Sequence, residues 1–173
     1  MGIELVPAAG DDIAYAESLY YFSFPANERI PFDEILRVSS TGFGELSVVK
    51  DGDTCVGMVY ILIGEDLIYI YYLAIDPGMR GKGYGSAVLS HLKERFPGCR
   101  FALSSESPDP DSPNLEERIW RISFYEINGF VDSGRRDVWK GGRYALLTFG
   151  GDIDRTETGE MFRKAERLGK KVE

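Results

Sequence analysis

Residues 80–86 read Arg-Gly-Lys-Gly-Tyr-Gly-Ser, a run suited to holding an anion. Gly81, Gly83 and Gly85 allow the backbone positive φ and a close approach to a ligand. A helix starting after them presents unpaired amides and a partial positive charge at its first turn. Arg80 and Lys82 add two cations to a chain that is otherwise acidic, so a doubly charged pyrophosphate is a fitting guest. Two other nucleotide motifs do not fit. A P-loop needs Gly-Lys followed by Ser or Thr, and Gly81-Lys82 is followed by Gly83, which has no hydroxyl for magnesium. A dinucleotide fingerprint needs G-x-G-x-x-G, but Gly83-x-Gly85 leads to Val88 and Gly81-x-Gly83 leads to Ser86. A dinucleotide oxidoreductase therefore lacks its third glycine, although Glu106 stands roughly where a ribose-binding acid would.

The elements that must position this run can be read from periodicity. Ile3 to Pro7 alternates as a strand, and Asp11-Asp12 read as the N-cap of a helix ending near Phe22. Phe24-Pro25 stops that helix, and Pro31 fits the first turn of a second one reaching about Val38. Leu46–Lys50 and Cys55–Ile63 form a hairpin around Asp51-Gly52, and a turn at Gly64–Asp66 leads to Leu67–Ile75. This last segment is uncharged and rich in aromatic and β-branched residues, as a central strand buried on both faces should be. A helix from about Gly83 to Phe96 and a strand from Cys99 to Ser104 complete a right-handed, parallel crossover. Ser105–Pro113 is expected as a loop, with Asn114 capping a helix to Asn128 and Gly129 closing it. Phe130–Val138 and Tyr144–Phe149 read as a closing hairpin joined at Gly141-Gly142. Residues 1–150 thus make one domain. In the remaining 151–173, Met161, Phe162, Ala165 and Leu168 have helical spacing, predicting an amphipathic helix packed on the domain or on a partner chain, so a homodimer stays open.

Arg80, Gly83 and Gly85 follow the pattern Arg or Gln, two residues, Gly, one residue, Gly or Ala. With Leu73-Ala74-Ile75-Asp76-Pro77 before it and Phe124-Tyr125-Glu126-Ile127-Asn128-Gly129-Phe130 after it, the chain resembles the GNAT superfamily of acyl-CoA N-acyltransferases. The resemblance covers roughly Leu46 to Phe149. It implies an α/β (α+β mixed) fold: a mixed, mostly antiparallel sheet with a central, splayed parallel strand pair, flanked by helices. It also implies acetyl-CoA as co-substrate, with the amides of Gly81 to Ser86 on its pyrophosphate and the backbone of Leu73 and Ile75 pairing with its pantetheine arm.

The reaction so implied is direct attack of a primary amine, on a small molecule or peptide, upon the thioester. It needs a neutral nucleophile, stabilisation of an oxyanion and a proton for the departing thiolate. Tyr125, the tyrosine of the matching family motif, is the candidate acid. Some family members carry a Glu five residues before the position of Ala74, where this chain has Tyr69, a candidate acceptor-site residue in place of a base. Glu106 and Glu28 could then act through water, Glu106 as the catalytic candidate and Glu28 with Phe24 in the acceptor pocket. Many members also have Asn seven residues before the tyrosine, where Arg118 stands here. The alternative is a CoA-binding or sensor module without chemistry.

Composition sets outer bounds. With 173 residues, 43% hydrophobic and 28% charged, the chain fits one packed domain. Asp and Glu number 28 against 20 Lys and Arg, a net charge of -8 that repels nucleic acid and suits a cationic substrate such as an amine. Most of that excess acid belongs to a solvated surface. Cys55 and Cys99 are isolated and His91 is the one histidine, so no metal is expected. No apolar run reaches the ~20 residues of a membrane span, and the sequence reads as cytoplasmic. Met1-Gly2 lacks the Ser or Thr that myristoylation wants at the sixth position, where Val6 stands.

Overall fold

The computed structural model describes residues 2–172; Met1, where an acylation signal would begin, and Glu173, where the tail ends, lie outside them. Chain order runs β1 (Ile3–Pro7), α1 (Asp11–Ser23), a 3-10 turn Ala26–Glu28, α2 (Phe32–Ser40), β2 (Gly44–Asp51), β3 (Thr54–Ile63) and β4 (Leu67–Ile75). It continues with a 3-10 turn Pro77–Met79, α3 (Tyr84–Arg95), β5 (Arg100–Glu106), α4 (Leu115–Ile127), β6 (Val131–Trp139), β7 (Gly142–Phe149) and α5 (Arg155–Gly169). The strands form one sheet in the order β1-β2-β3-β4-β5-β7-β6, antiparallel except for the central β4–β5 pair. This is the mixed, mostly antiparallel architecture expected from the sequence.

β4 is central because its residues are apolar on both faces. Ile68 and Ile70 pack with Val88, Leu89 and Leu92 of α3, while Tyr69, Tyr72 and Ala74 pack with the core of α1 and α2. Two cores therefore sandwich one sheet. α5 belongs to the second of them: Met161 and Ala165 are buried with Ile35 and Val38 of α2. Its start is fixed by a capping box between Asp154 and Glu157, and Arg100 bridges Glu157 (2.5 Å) and Asp66 (3.0 Å). No helix among the described residues is long and apolar enough to cross a membrane.

Several boundaries differ from expectation for local reasons. The N-cap of α1 is Gly10 (φ 57°), and Asp11 and Asp12 sit inside the first turn, where their charge meets the helix dipole. Pro31 is itself the N-cap of α2. Asn114 occupies the N-cap of α4 but its side chain takes Arg118 Nε at 2.7 Å instead of a backbone amide. The last hairpin turns on Lys140 (φ 47°) and Gly141 (φ 79°), with Trp139 paired to Gly142, a two-residue turn one position earlier than read. β5 runs on through Ser105 and Glu106, which looked like loop, because they pair with Ala145 and Tyr144 of β7.

Candidate active site

β4 and β5 pair only at Leu67↔Arg100, Ile68↔Phe101 and Tyr69↔Ala102; beyond that they part, while β4 continues to Ile75 and β5 to Glu106. The gap opens into a cavity of about 1370 Å³. Ordinary small-molecule pockets hold ~300–1,000 Å³, so this one has room for an extended ligand with a second molecule beside it.

One wall of the cavity is the glycine run. Gly81 (φ 75°) and Gly83 (φ 85°) are left-handed, and a Cβ on Gly81 would meet nothing within 4 Å, so conformation and not crowding selects glycine there. Gly83 is the N-cap of α3 and offers no side chain to the first amides. The first helical bond runs from Ala87 N–H to the Gly83 carbonyl (3.0 Å), which leaves the amides of Tyr84, Gly85 and Ser86 without helical acceptors. Among the described α-helices, α3 alone has no acid in its first turn, so its partial positive charge is left for an outside anion. Gly85 has a different purpose from the one read in sequence: it is helical, and a Cβ there would come within 2.9 Å of Phe124 Cζ where α3 and α4 meet. Arg80 Nε donates to the Ile75 carbonyl at 3.2 Å and ties the run to the end of β4. Lys82 turns away, with Nζ 3.9 Å from Met79 Sδ on the surface.

The opposite wall is built by pairing across three strands. Glu106 of β5 stands opposite Tyr144 of β7, and Tyr144 opposite Asp137 of β6, so the three side chains share one face. From α4, Arg118 Nη2 and Arg121 Nη1 grip the two Glu106 oxygens at 2.7 and 3.0 Å. Glu28, on the turn after α1, lines the same cavity, near enough for the Glu106 charge to act on it and for its own charge to act on the Tyr144 hydroxyl. Burial pushes Glu28 up to about 7; the Glu106 charge adds to the rise, and Arg121 and Arg118 oppose it. A charged carboxylate nearby disfavours ionisation of a second one. Tyr144 is pushed up to about 12, first by burial and then by the charges of Glu28 and Glu106.

A bulge in β4 holds the turn that carries Glu28. Tyr72 pairs with Tyr60 but Ile70 pairs with Ile61, so Tyr71 is an extra residue, and both Tyr71 and Tyr72 face the α1–α2 core. The Tyr72 hydroxyl donates to the Glu28 carbonyl (2.7 Å) and accepts from Ile30 N–H (3.2 Å). A side chain of regular alternation at this point would face the other side of the sheet.

The structure thus brings the sequence-derived candidates to one cavity. Leu73, Ile75, Arg80, Gly81, Gly83, Gly85 and Ser86 line its cradle side, and Lys82 does not. Phe24, Glu28, Tyr69, Glu106 and Tyr125 also line it. Tyr125 is half-buried between Phe124 and Phe130, and burial pushes it up to about 12 against the opposing charge of Arg121. The Tyr69 hydroxyl donates to Ser104 Oγ at 2.8 Å, and burial pushes it to about 12 as well. Sequence reasoning missed the Arg118–Arg121 grip, Tyr144 and the pair of Arg135 with Asp137. The two arginines lie three apart on one helix, a visible signal, but their acid partner comes from a strand read as loop.

Among known proteins, the pattern of the Acetyltransferase (GNAT) family matches residues 13–130. The S-(2-succino)cysteine N-acetyltransferase of Bacillus subtilis (strain 168) is 33% identical over 73 residues, which is 42% of this chain and 42% of that protein. A structure from Bacteroides thetaiotaomicron assigned to the GNAT family superposes with a TM-score of 0.71 at 23% identity, covering 99% of this chain and 100% of that one. Arabidopsis thaliana Naa50, in complex with the bisubstrate analogue CoA-Ac-MVNAL, gives 0.64 at 17% identity, with 88% and 100% covered. The splayed strands, the uncapped helix and the match over most of the chain agree, and the protein belongs to the GNAT family of acetyltransferases.

Proposed function

We propose that this protein moves an acetyl group from acetyl-CoA to a primary amine of a small molecule or peptide, with the Glu28–Glu106 pair as base and Tyr125 as donor to the leaving sulfur. The observation that carries this reading is the cavity itself, which joins the open amides of α3 to the carboxyls of Glu28 and Glu106 across the parting of β4 and β5. The residues present suit acetyl-CoA: Gly81 leaves open space at its Cα, the amides of Tyr84, Gly85 and Ser86 suit a pyrophosphate, and β4 beyond Tyr69 has no β5 partner. When bound, acetyl-CoA supplies an activated acyl carbon on a thioester.

Within the carboxyl pair the labour divides. Glu106 has its oxygens engaged by two guanidiniums and serves to hold negative charge in place. Glu28, near 7, is the member that exchanges a proton at neutral pH and takes it from the amine as the C–N bond forms. Arg118, in the position where many relatives have Asn, acts on the base and not on the cofactor. Tyr125 stays protonated at neutral pH. Standing well above a thiol's ~8.5, it acts as a hydrogen-bond donor that yields its proton only as the C–S bond breaks.

The test is mass spectrometry of purified protein with acetyl-CoA and a broad amine panel, alongside CoA titration by calorimetry. Acetylated product, with Tyr125→Phe lowering kcat while CoA affinity holds, is the expected result. CoA binding without any product would convert the reading to a binding module; neither binding nor product would sink it.

A further inference from the structure

We propose that the acceptor is an amino acid, whose carboxylate is held by Arg135 while its amine faces the Glu28–Glu106 pair; this rests on the transferase reading and specifies its acceptor side. Arg135 lies where β6 loses register: pairing with β7 passes from Asp132↔Leu147 to Arg136↔Ala145, and Gly134 takes φ 82°. Such irregularities re-aim side chains, and here Arg135 leaves an edge strand to line the cavity with Asp137. Its guanidinium is fixed on two sides. Nε donates to both Asp137 oxygens (3.1 and 2.8 Å), and Nη2 donates to Thr158 Oγ1 of α5 (3.0 Å). Nη1 is buried and finds no acceptor among the described residues. An unpaired donor on a buried cation is unfavourable by itself, and one held this rigidly is set for an outside acceptor.

Neighbouring groups favour a carboxylate as that acceptor. Ser104 is exposed to the cavity; it accepts from Tyr69 and still has its own proton to give. Tyr69, Ser104 and Arg135 line the same cavity, and the charges of Arg135 and Asp137 both act on the Tyr69 hydroxyl. Nor does the wall repel an anion. Glu28, Glu106 and Asp137 are met by Arg118, Arg121 and Arg135, which leaves this patch neutral, or positive by one when Glu28 is protonated. Of the other acids lining the cavity, Glu166 pairs with Lys170, Glu117 shares Arg121 with Glu106, and Glu34 has no ion pair among the described residues. A zwitterion can thus meet a cation at Arg135 and acids at Glu28 and Glu106 within one cavity.

A cycle of acceptors and variants tests the assignment. Amino acids and their decarboxylated amines are compared on the wild type and on Arg135→Gln and Arg135→Lys, by KM and by calorimetric binding to the CoA-saturated protein. The cycle cancels the differing basicity of the amines, and the binding arm does not depend on turnover. Arg135→Gln should weaken the carboxylated acceptor by ~10–100-fold and leave the decarboxylated one within about twofold, with Arg135→Lys intermediate. Propionate should compete with the amino acid but not with acetyl-CoA. Equal effects of the substitution on both acceptors, or wild-type binding blind to the carboxylate, would overturn the proposal. Carboxylate-dependent binding with no acetylated product would instead overturn the transferase reading and leave the subsite standing.

Discussion

Glu28→Gln should make the protein more stable at alkaline pH while disabling it. Glu28 rises from an ordinary 4.5 to about 7 on folding, chiefly through burial and then through Glu106. A carboxyl raised in this way favours the folded state while protonated. The advantage is complete below the unfolded value and is lost as pH climbs through about 7. The gap of ~2.5 on the pH scale, at 1.36 kcal/mol each, sets a ceiling of ~3.4 kcal/mol on the penalty. The turn is partly solvated, so about 2 kcal/mol is expected to appear between pH 5 and pH 8.5, or ~4–8 °C in Tm for a chain of this size. Glutamine keeps the shape and stays neutral, so it escapes this penalty. Thermal melts of wild type and variant at both pH values should show a Tm advantage for the variant that widens with pH. Acetylation should fall by ~10²–10⁴ in kcat/KM, the usual contribution of a positioned base. A Tm difference that does not change with pH, or a variant of undiminished activity, would refute the assignment.

Three further substitutions probe the frame around the pair. Tyr72→Phe removes a bond to the Glu28 carbonyl and one from Ile30 N–H, so ~1–2 kcal/mol of stability should go, and kcat should fall while the KM for acetyl-CoA holds. Gly81→Ala meets no atoms but places an L-residue at φ 75°; a loss of ~1 kcal/mol in a melt should accompany weaker CoA binding by calorimetry. Gly85→Ala has no backbone strain and gains helix propensity of ~1 kcal/mol, yet its Cβ would press on Phe124, so the KM for acetyl-CoA should rise with little change in Tm.

The parts that were legible in the sequence are the parts built from neighbours in the chain. The strand Leu67–Ile75, the glycine run and α3 follow one another without interruption, and uncharged composition, left-handed glycines and a helix start are all local signals. Even there, Gly85 was misread as conformational, because the atom that crowds it is Phe124, on another helix. The turn of the last hairpin slipped by one for a related reason. Lys140 adopts φ 47° under Trp139, and its Nζ donates to the Arg29 carbonyl, a contact spanning most of the chain.

The acceptor side has the opposite construction, and that explains why it stayed hidden. Glu106 meets Tyr144 and Asp137 only through strand register, Glu28 joins them from a turn near the N-terminus, and the arginines arrive on α4. Both devices that aim side chains here are breaks in alternation, the extra Tyr71 in β4 and the Ser133 to Arg135 irregularity in β6. Period-two reading assumes alternation and therefore fails at such breaks. Their placement has a physical logic in β4: a regular strand sends every second side chain into each core, so a site that needs Tyr72 beside Glu28, with Tyr71 on the same side, must interrupt the pattern. If so, restoring regularity should harm function more than folding. Deleting Gly134 brings β6 closer to continuous pairing with β7, so hydrogen exchange along β6 should slow while amino-acid binding is lost and CoA binding is kept. Faster exchange along β6, with CoA binding lost as well, would mean that the irregularity serves the fold and not the site.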